Sequence, residues 1–137
     1  MRCAATVPWR GTLTRRTGAP PNRRGAGTGR GAAGTWQRGD VLRHVVLFTW
    51  TDDADEARRE ATVGALRRLR EDVGGMSELT VSADAGLVDG NAHAILVADF
   101  PDEESFRRYA QDPVHQAVLA EHVRPWLAGR TAVQYVL

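Results

Sequence analysis

The clearest alternation of apolar and polar positions lies in residues 42–50 and predicts a β-strand. One face of this strand would present Leu42, His44, Val46, Phe48 and Trp50. The other face would present Arg43, Val45, Leu47 and Thr49. Because the middle of the strand is apolar on both faces, we expect both faces to be covered.

Helical periodicity follows in residues 53–73. Asp53 can cap this helix, with Glu56 three residues later as a capping-box partner. The pair Gly74-Gly75 ends it. The inward face repeats at Thr62, Leu66, Leu69 and Val73.

The remaining periodicity predicts three more strands and two shorter helices. The strands are residues 76–84, 92–100 and 130–137. The helices are residues 102–111 and 113–127, and Gly129 would follow the second as its breaker. One stripe of that second helix would contain His115, Leu119, His122 and Trp126.

This order of elements is β-α-β-β-α-β, with the second helical region divided in two. It indicates an α+β fold of the ferredoxin-like type, a four-stranded antiparallel sheet with helices on one face. A second copy of the sheet would cover the other face and form a homodimeric α/β-barrel. The alternative is that Val45 and Leu47 are exposed or lie under the terminal segment.

Charge divides the chain into two segments. Residues 1–39 contain eight Arg, eight Gly and no acidic residue, whereas residues 40–137 contain all 17 acidic residues. The first segment has little apolar periodicity, so we expect an Arg/Gly-rich disordered extension before one domain at 40–137. The extension could bind nucleic acid or an acidic surface. We favour a mis-assigned start, because a GUG start codon at Val41 reads as valine inside a longer open frame.

Several classes of protein are excluded or not favoured. Cys3 is the only cysteine, so neither an intrachain disulfide nor a cysteine metal site is expected. No apolar run reaches about 18 residues, and no secretory signal is apparent, so we expect a cytoplasmic protein. The four histidines lack helical metal-site spacing, and no nucleotide-binding motif occurs. We therefore expect no metal and no cofactor. We do not favour a nucleic-acid partner, because the arginines of residues 1–39 are scattered and Trp9 and Trp36 are the only aromatic residues among them.

Candidate chemistry lies in residues 109–115, between the two short helices. Asp112 can cap the second helix, and Pro113 suits its first position. His115 then falls in the first turn, where the helix dipole favours the neutral imidazole that a general base requires. Tyr109 could place its hydroxyl in the same space. The alternative is that Tyr109 only packs and His115 is an ordinary partly buried histidine.

Three segments resemble the stress-responsive dimeric α/β-barrel (Dabb) family. They are His-Val-Val-Leu-Phe at 44–48, Gly-Asn-Ala-His at 90–93 and Asp-Pro-Val-His at 112–115. The resemblance covers residues 42–137 and implies a ferredoxin-like homodimer. Members of this family include stress-associated proteins of undefined activity and a plant cyclase that closes a linear polyketide by an aldol step.

The resemblance to the cyclase also implies site residues. Tyr109 and His115 match its catalytic pair, and His44 and His93 match its strand histidines. We therefore expect these four side chains to line one pocket, in which His44, His93 and Gln134 would bind the substrate. Gln134 stands where the cyclase has an aspartate that supports the catalytic histidine, and an amide cannot stabilise an imidazolium by charge.

Two functions remain as hypotheses. The first is a small homodimeric protein with a pocket for an apolar or polyketide-like ligand. The alternative is a cofactor-independent cyclase, lyase or monooxygenase of the same fold. In a cyclase or lyase, His115 would be the general base and Tyr109 would donate its hydroxyl to the oxygen on which charge develops.

Overall fold

Alternating burial along the first strand organises the sheet in this computed structural model, which describes residues 39–137. Strand β1 spans Leu42–Trp50, as predicted. All five side chains of its inner face are buried, whereas Leu47 on its outer face is exposed. The inner face of β1 therefore contributes one wall of the core.

The sheet has four antiparallel strands. Strand β2 spans Glu78–Ala83, β3 spans Ala94–Phe100 and β4 spans Leu127–Val136. The strand order is β2-β3-β1-β4. β1 pairs with β3 on one side and with β4 on the other, so it is a central strand. The predicted ferredoxin-like α+β fold is confirmed.

The helices provide the other wall of the core. Helix α1 spans Glu56–Asp72, α2 spans Glu103–Gln111 and α3 spans Pro113–Val118. The predicted helix at 113–127 is only partly regular, because a wider π-helical turn and then a 3₁₀ turn follow α3, at Leu119–Val123 and Arg124–Trp126. Pro125 lies in the 3₁₀ turn, where its missing N–H prevents a regular α-helical ladder.

Some predicted boundaries were wrong for local reasons. The N-terminal cap of helix α1 lies two residues later than expected, because the carboxylate of Asp55, not Asp53, accepts the N–H of Arg58 at 2.9 Å. Gly74 and Gly75 end it in the left-handed conformation, as predicted.

Three of the observed strands also differ in length from the predicted ones. β2 and β3 are shorter than expected, and β4 begins at Leu127 rather than at residue 130. Gly129 therefore lies inside a strand, opposite Thr49 of β1. Pairing with β1 overrides its tendency to break regular structure.

The core fills the space between the sheet and the helices. Its most deeply buried large side chains are Leu66, Leu69, Phe100 and Val123. The prediction of disorder for residues 1–39 concerns a segment that lies, up to residue 38, outside the described residues.

Candidate functional site

The corner between α2 and α3 has the predicted cap. Oδ1 of Asp112 accepts the backbone N–H of Val114 at 2.8 Å and that of His115 at 3.3 Å. Pro113 occupies the first position of α3. The turn stacks the His115 ring on the Tyr109 ring, with centroids 4.1 Å apart and planes inclined by 30°.

A cavity of about 280 Å³ lies beside this corner, between the inner face of the sheet and the helices. Apolar side chains line most of it, including Val46, Leu66, Leu96 and Leu119. The polar part of its lining consists of His44, Tyr109, His115, Arg124 and Arg130. Three of the four residues predicted to share a pocket therefore meet here.

His115 is neutral at physiological pH and only 9% exposed. Burial lowers the pKa of its imidazole, although Asp112 and the nearby carbonyls of Ala110 and Tyr109 partly oppose that decrease. Burial is thus the largest cause of the lowered pKa of His115. Nδ1 is enclosed and has no hydrogen-bond partner. Because Nδ1 is enclosed and the ring lines the cavity, we infer that Nε2 faces the cavity.

His44 is also held neutral, by burial first and then by the positive charge of Arg130. Burial, the charge of Arg130 and the neighbouring His115 together lower the pKa of His44 to about 4. Its ring lies 5.1 Å from that of Phe106. Nε2 of Gln134 lies 2.7 Å from Nδ1 of His44. An amide nitrogen only donates, so Nδ1 accepts and the proton of the neutral ring is on Nε2.

The hydroxyl of Tyr109 keeps its proton. The residue is only 3% exposed, and burial raises the pKa of its phenol to about 12. Its ring also packs 5.2 Å from that of Phe100, which fixes its orientation from the core side. The polar end of the cavity therefore combines two neutral imidazoles with one protonated phenol.

His93 does not share this cavity, contrary to the prediction from the resemblance. Ala94, the residue after His93, pairs with Phe48, and Phe48 lies four residues along β1 from His44. His93 therefore lies one residue further from His44 than Phe48 does. At about 3.3 Å per residue, the two histidines lie roughly 16 Å apart along the sheet. Nδ1 of His93 instead accepts the backbone N–H of Trp50 at 2.8 Å, in a separate depression beside α1.

Gln134 contacts His44 and not His115, so the support expected for His115 at this position is absent. The register of β4 explains this result, because Gln134 is the direct partner of His44 across the two strands. Side chains that are directly opposite on one face of antiparallel strands lie within contact distance.

Arg130, like Arg124, is a polar cavity residue that was not predicted from the sequence. It lies on β4 opposite Phe48, on the same face as Gln134. The two-residue period of a strand, counted back from Gln134 through Ala132, would have placed it there. Its charge influences the pKa of His44, Tyr109 and His115, which places the guanidinium near the polar end of the cavity.

Two further observations concern residues 39–137 as a whole. Within that range, no three side chains of the His, Cys, Asp or Glu type converge as they would around a metal ion. No helix in the described part of the chain has the length and apolar character needed to cross a membrane.

The contact of Gln134 with His44 predicts which histidine responds to a charge at position 134. In Gln134→Asp, a carboxylate close to Nδ1 would favour the imidazolium, so the pKa of His44 should rise from about 4. NMR titration of the ring protons measures this change. Gln134→Leu removes the amide without adding charge and should not raise that pKa. A larger rise at His115 than at His44 would contradict the observed geometry.

The chain matches the protein-family model described as Stress responsive A/B Barrel Domain over residues 42–137. A search of functionally curated proteins finds no match. Among solved structures, a dimeric ferredoxin-like protein of unknown function from Thermobifida fusca is 36% identical, with a TM-score of 0.67. That alignment covers 76% of this chain and 97% of the Thermobifida protein.

Two more distant structures share the fold. A Dabb family protein from Mesorhizobium loti is 18% identical with a TM-score of 0.61, covering 72% of this chain and 97% of that one. A hydroxynitrile lyase from Passiflora edulis is 14% identical with a TM-score of 0.63, covering 71% and 93%. Because the family model spans nearly all of the described residues and the Thermobifida protein aligns over almost its full length, this chain belongs to the stress responsive A/B barrel domain family.

Proposed function

We propose that this protein is a homodimer in which each subunit binds a small, largely apolar molecule in the cavity bounded by His44, Tyr109 and His115. The observation that supports this most strongly is the composition of the cavity. Its wall is mostly apolar, and its polar side chains are three neutral groups and two arginines. Small-molecule sites typically have this character, with a few polar groups that orient the ligand. A cytoplasmic location stays a prediction.

A purely structural role explains the polar end less well. Leaving a buried polar atom without a partner costs about 1–3 kcal/mol, and Nδ1 of His115 is such an atom. A Leu at this position would avoid that cost while still packing against Tyr109. The presence of an imidazole at this position is therefore consistent with use of its other nitrogen by a ligand.

The outer face of the sheet supports the homodimer. Apolar side chains on its central and edge strands are exposed or partly exposed, among them Leu47, Val133 and Tyr135. The charged side chains at one end of this face neutralise each other, since Arg43 makes two hydrogen bonds of 2.7 Å to the carboxylate of Asp99. Two copies could pack face to face without burying an unpaired charge. The Thermobifida protein is described as dimeric.

Leu47→Asp should dissociate this dimer. The change would place an unpaired carboxylate from each subunit in an apolar interface, which costs several kcal/mol. Sedimentation velocity should show a monomer at concentrations where the unchanged protein is a dimer. Ala61→Asp, on the exposed side of α1, adds the same charge on the opposite side of the sheet and should leave the dimer intact. A monomeric unchanged protein would contradict the proposal.

Ligand binding can be tested by filling the cavity. Leu119→Trp adds volume at a lining position, and it should weaken binding of the neutral probe 3-phenylpropanamide at least about tenfold, the value of burying an aromatic ring. Isothermal titration calorimetry measures the affinity. Leu87→Trp, at a loop residue that is 87% exposed, is the matched control and should bind normally. Equal binding by both variants would place the ligand elsewhere.

A second candidate function is general-base catalysis at a carbon next to a carbonyl. The specific observation in its favour is a neutral imidazole stacked 4.1 Å from a protonated phenol at a cavity wall. Nε2 of His115 would remove the proton, and the Tyr109 hydroxyl would donate to the oxygen on which negative charge develops. The likeness to the hydroxynitrile lyase concerns the fold and does not specify this chemistry.

Deuterium exchange tests this second candidate without knowledge of the substrate. In D₂O the protein should accelerate exchange of the methylene protons of 1-phenylbutane-1,3-dione, which NMR detects directly. His115→Ala should reduce the accelerated rate by about 10²–10⁴. His122→Ala, at a partly exposed position outside the cavity lining, is the control and should retain the rate. Exchange no faster than in buffer would eliminate the candidate and leave the binding proposal intact.

A further inference from the structure

The arginines of the cavity differ in whether their hydrogen-bonding capacity is used. Arg124 donates to Oε1 of Gln116 at 3.1 Å. Arg130 makes no hydrogen bond or ion pair with any described residue, and among the arginines of residues 39–137 only Arg68 shares that condition. Arg68 lies on the exposed side of α1, whereas Arg130 lines the cavity.

No carboxylate lines this cavity to balance the charge of Arg130. The nearest acidic side chain in the corner, Asp112, is engaged with two backbone N–H groups at the start of α3. His44 and His115 are neutral and Tyr109 is protonated, so none of them supplies a negative charge. The polar end of an otherwise apolar cavity is therefore positively charged.

A different role for Arg130 would be protection of an edge strand. β4 is at the edge of the sheet, and an inward-pointing charge on such a strand discourages pairing with other chains. Protection of the strand edge would require only the charge of Arg130. It would not require the polar groups of His44, Tyr109 and His115 in the same cavity. The position of Arg130 beside three such groups favours a ligand.

We propose that the ligand is a small apolar acid, whose carboxylate pairs with Arg130 while its apolar part occupies the cavity. This inference rests on the proposed ligand-binding function and specifies the chemical class of the ligand. A guanidinium presents N–H donors in a planar fork that matches the two oxygens of a carboxylate. Because the ligand must also bury its apolar part, inorganic anions should bind poorly.

Three probes of the same skeleton test the inference: 3-phenylpropanoate, 3-phenylpropanamide and 3-phenylpropylamine. The unchanged protein should bind the carboxylate about fivefold more tightly than the amide, the upper range for an ion pair at an exposed site. The amine should bind more weakly than the amide. Calorimetric titration at one ionic strength gives the three dissociation constants.

Arg130→Gln should bring the affinities for carboxylate and amide close together, whereas Arg130→Lys, which keeps the charge, should retain most of the preference. Arg68→Gln is the matched control, because it removes one unpartnered arginine and lowers the net charge equally. It should leave the preference unchanged. Arg130 is exposed, so its variants should unfold at the same temperature as the unchanged protein.

The outcomes separate the two proposals. A preference for the carboxylate that disappears in Arg130→Gln but persists in Arg68→Gln supports the inference. An amide that binds as tightly as the carboxylate, or a preference that survives in Arg130→Gln, overturns it while the apolar cavity remains the binding site. Failure of all three probes to bind overturns the proposed binding function, and the inference with it.

Discussion

Burial of one face of β1 is the constraint on which both the core and the cavity depend. The strand is central and is paired on both sides, so its side chains cannot turn away from the helices. A shift of register by one residue would exchange that entire face for the opposite one. His44 is the only polar member of the buried face, and Gln134 supplies a hydrogen bond to it across the strand pair. The same pairing brings Arg130 to the cavity.

Neutrality of the buried polar groups follows from the same packing. Imidazoles and phenols that are removed from water favour their uncharged forms, which is why the pKa of His44 falls and that of Tyr109 rises. The one cavity charge without a protein partner, Arg130, strengthens the effect on both histidines. The cavity thus combines uncharged hydrogen-bonding groups with two arginines, of which Arg130 has no hydrogen-bond partner among the described residues, an arrangement suited to orienting a mostly apolar molecule.

Membership of the stress responsive A/B barrel domain family accounts for the architecture, but the chemistry depends on side chains that vary within one fold. The sheet of the Passiflora lyase is similar, yet its likeness to this chain is structural alone. In this chain the position expected to hold a supporting carboxylate for His115 is an amide, and that amide serves His44 instead. A cyclase mechanism transferred from a relative would therefore pair Gln134 with His115, whereas Gln134 contacts His44.

The sequence by itself determined the order of elements, the two-faced first strand and the corner where Tyr109 meets His115, because each follows from short-range periodicity or from a local cap. It did not determine that His93 lies far from His44, or that Gln134 contacts His44 and not His115. Those relations depend on strand register, which is set by the packing of whole strands against the helices and not by neighbouring residues. Only the tertiary structure could decide them, since contacts between residues some 90 positions apart leave no local pattern in the chain.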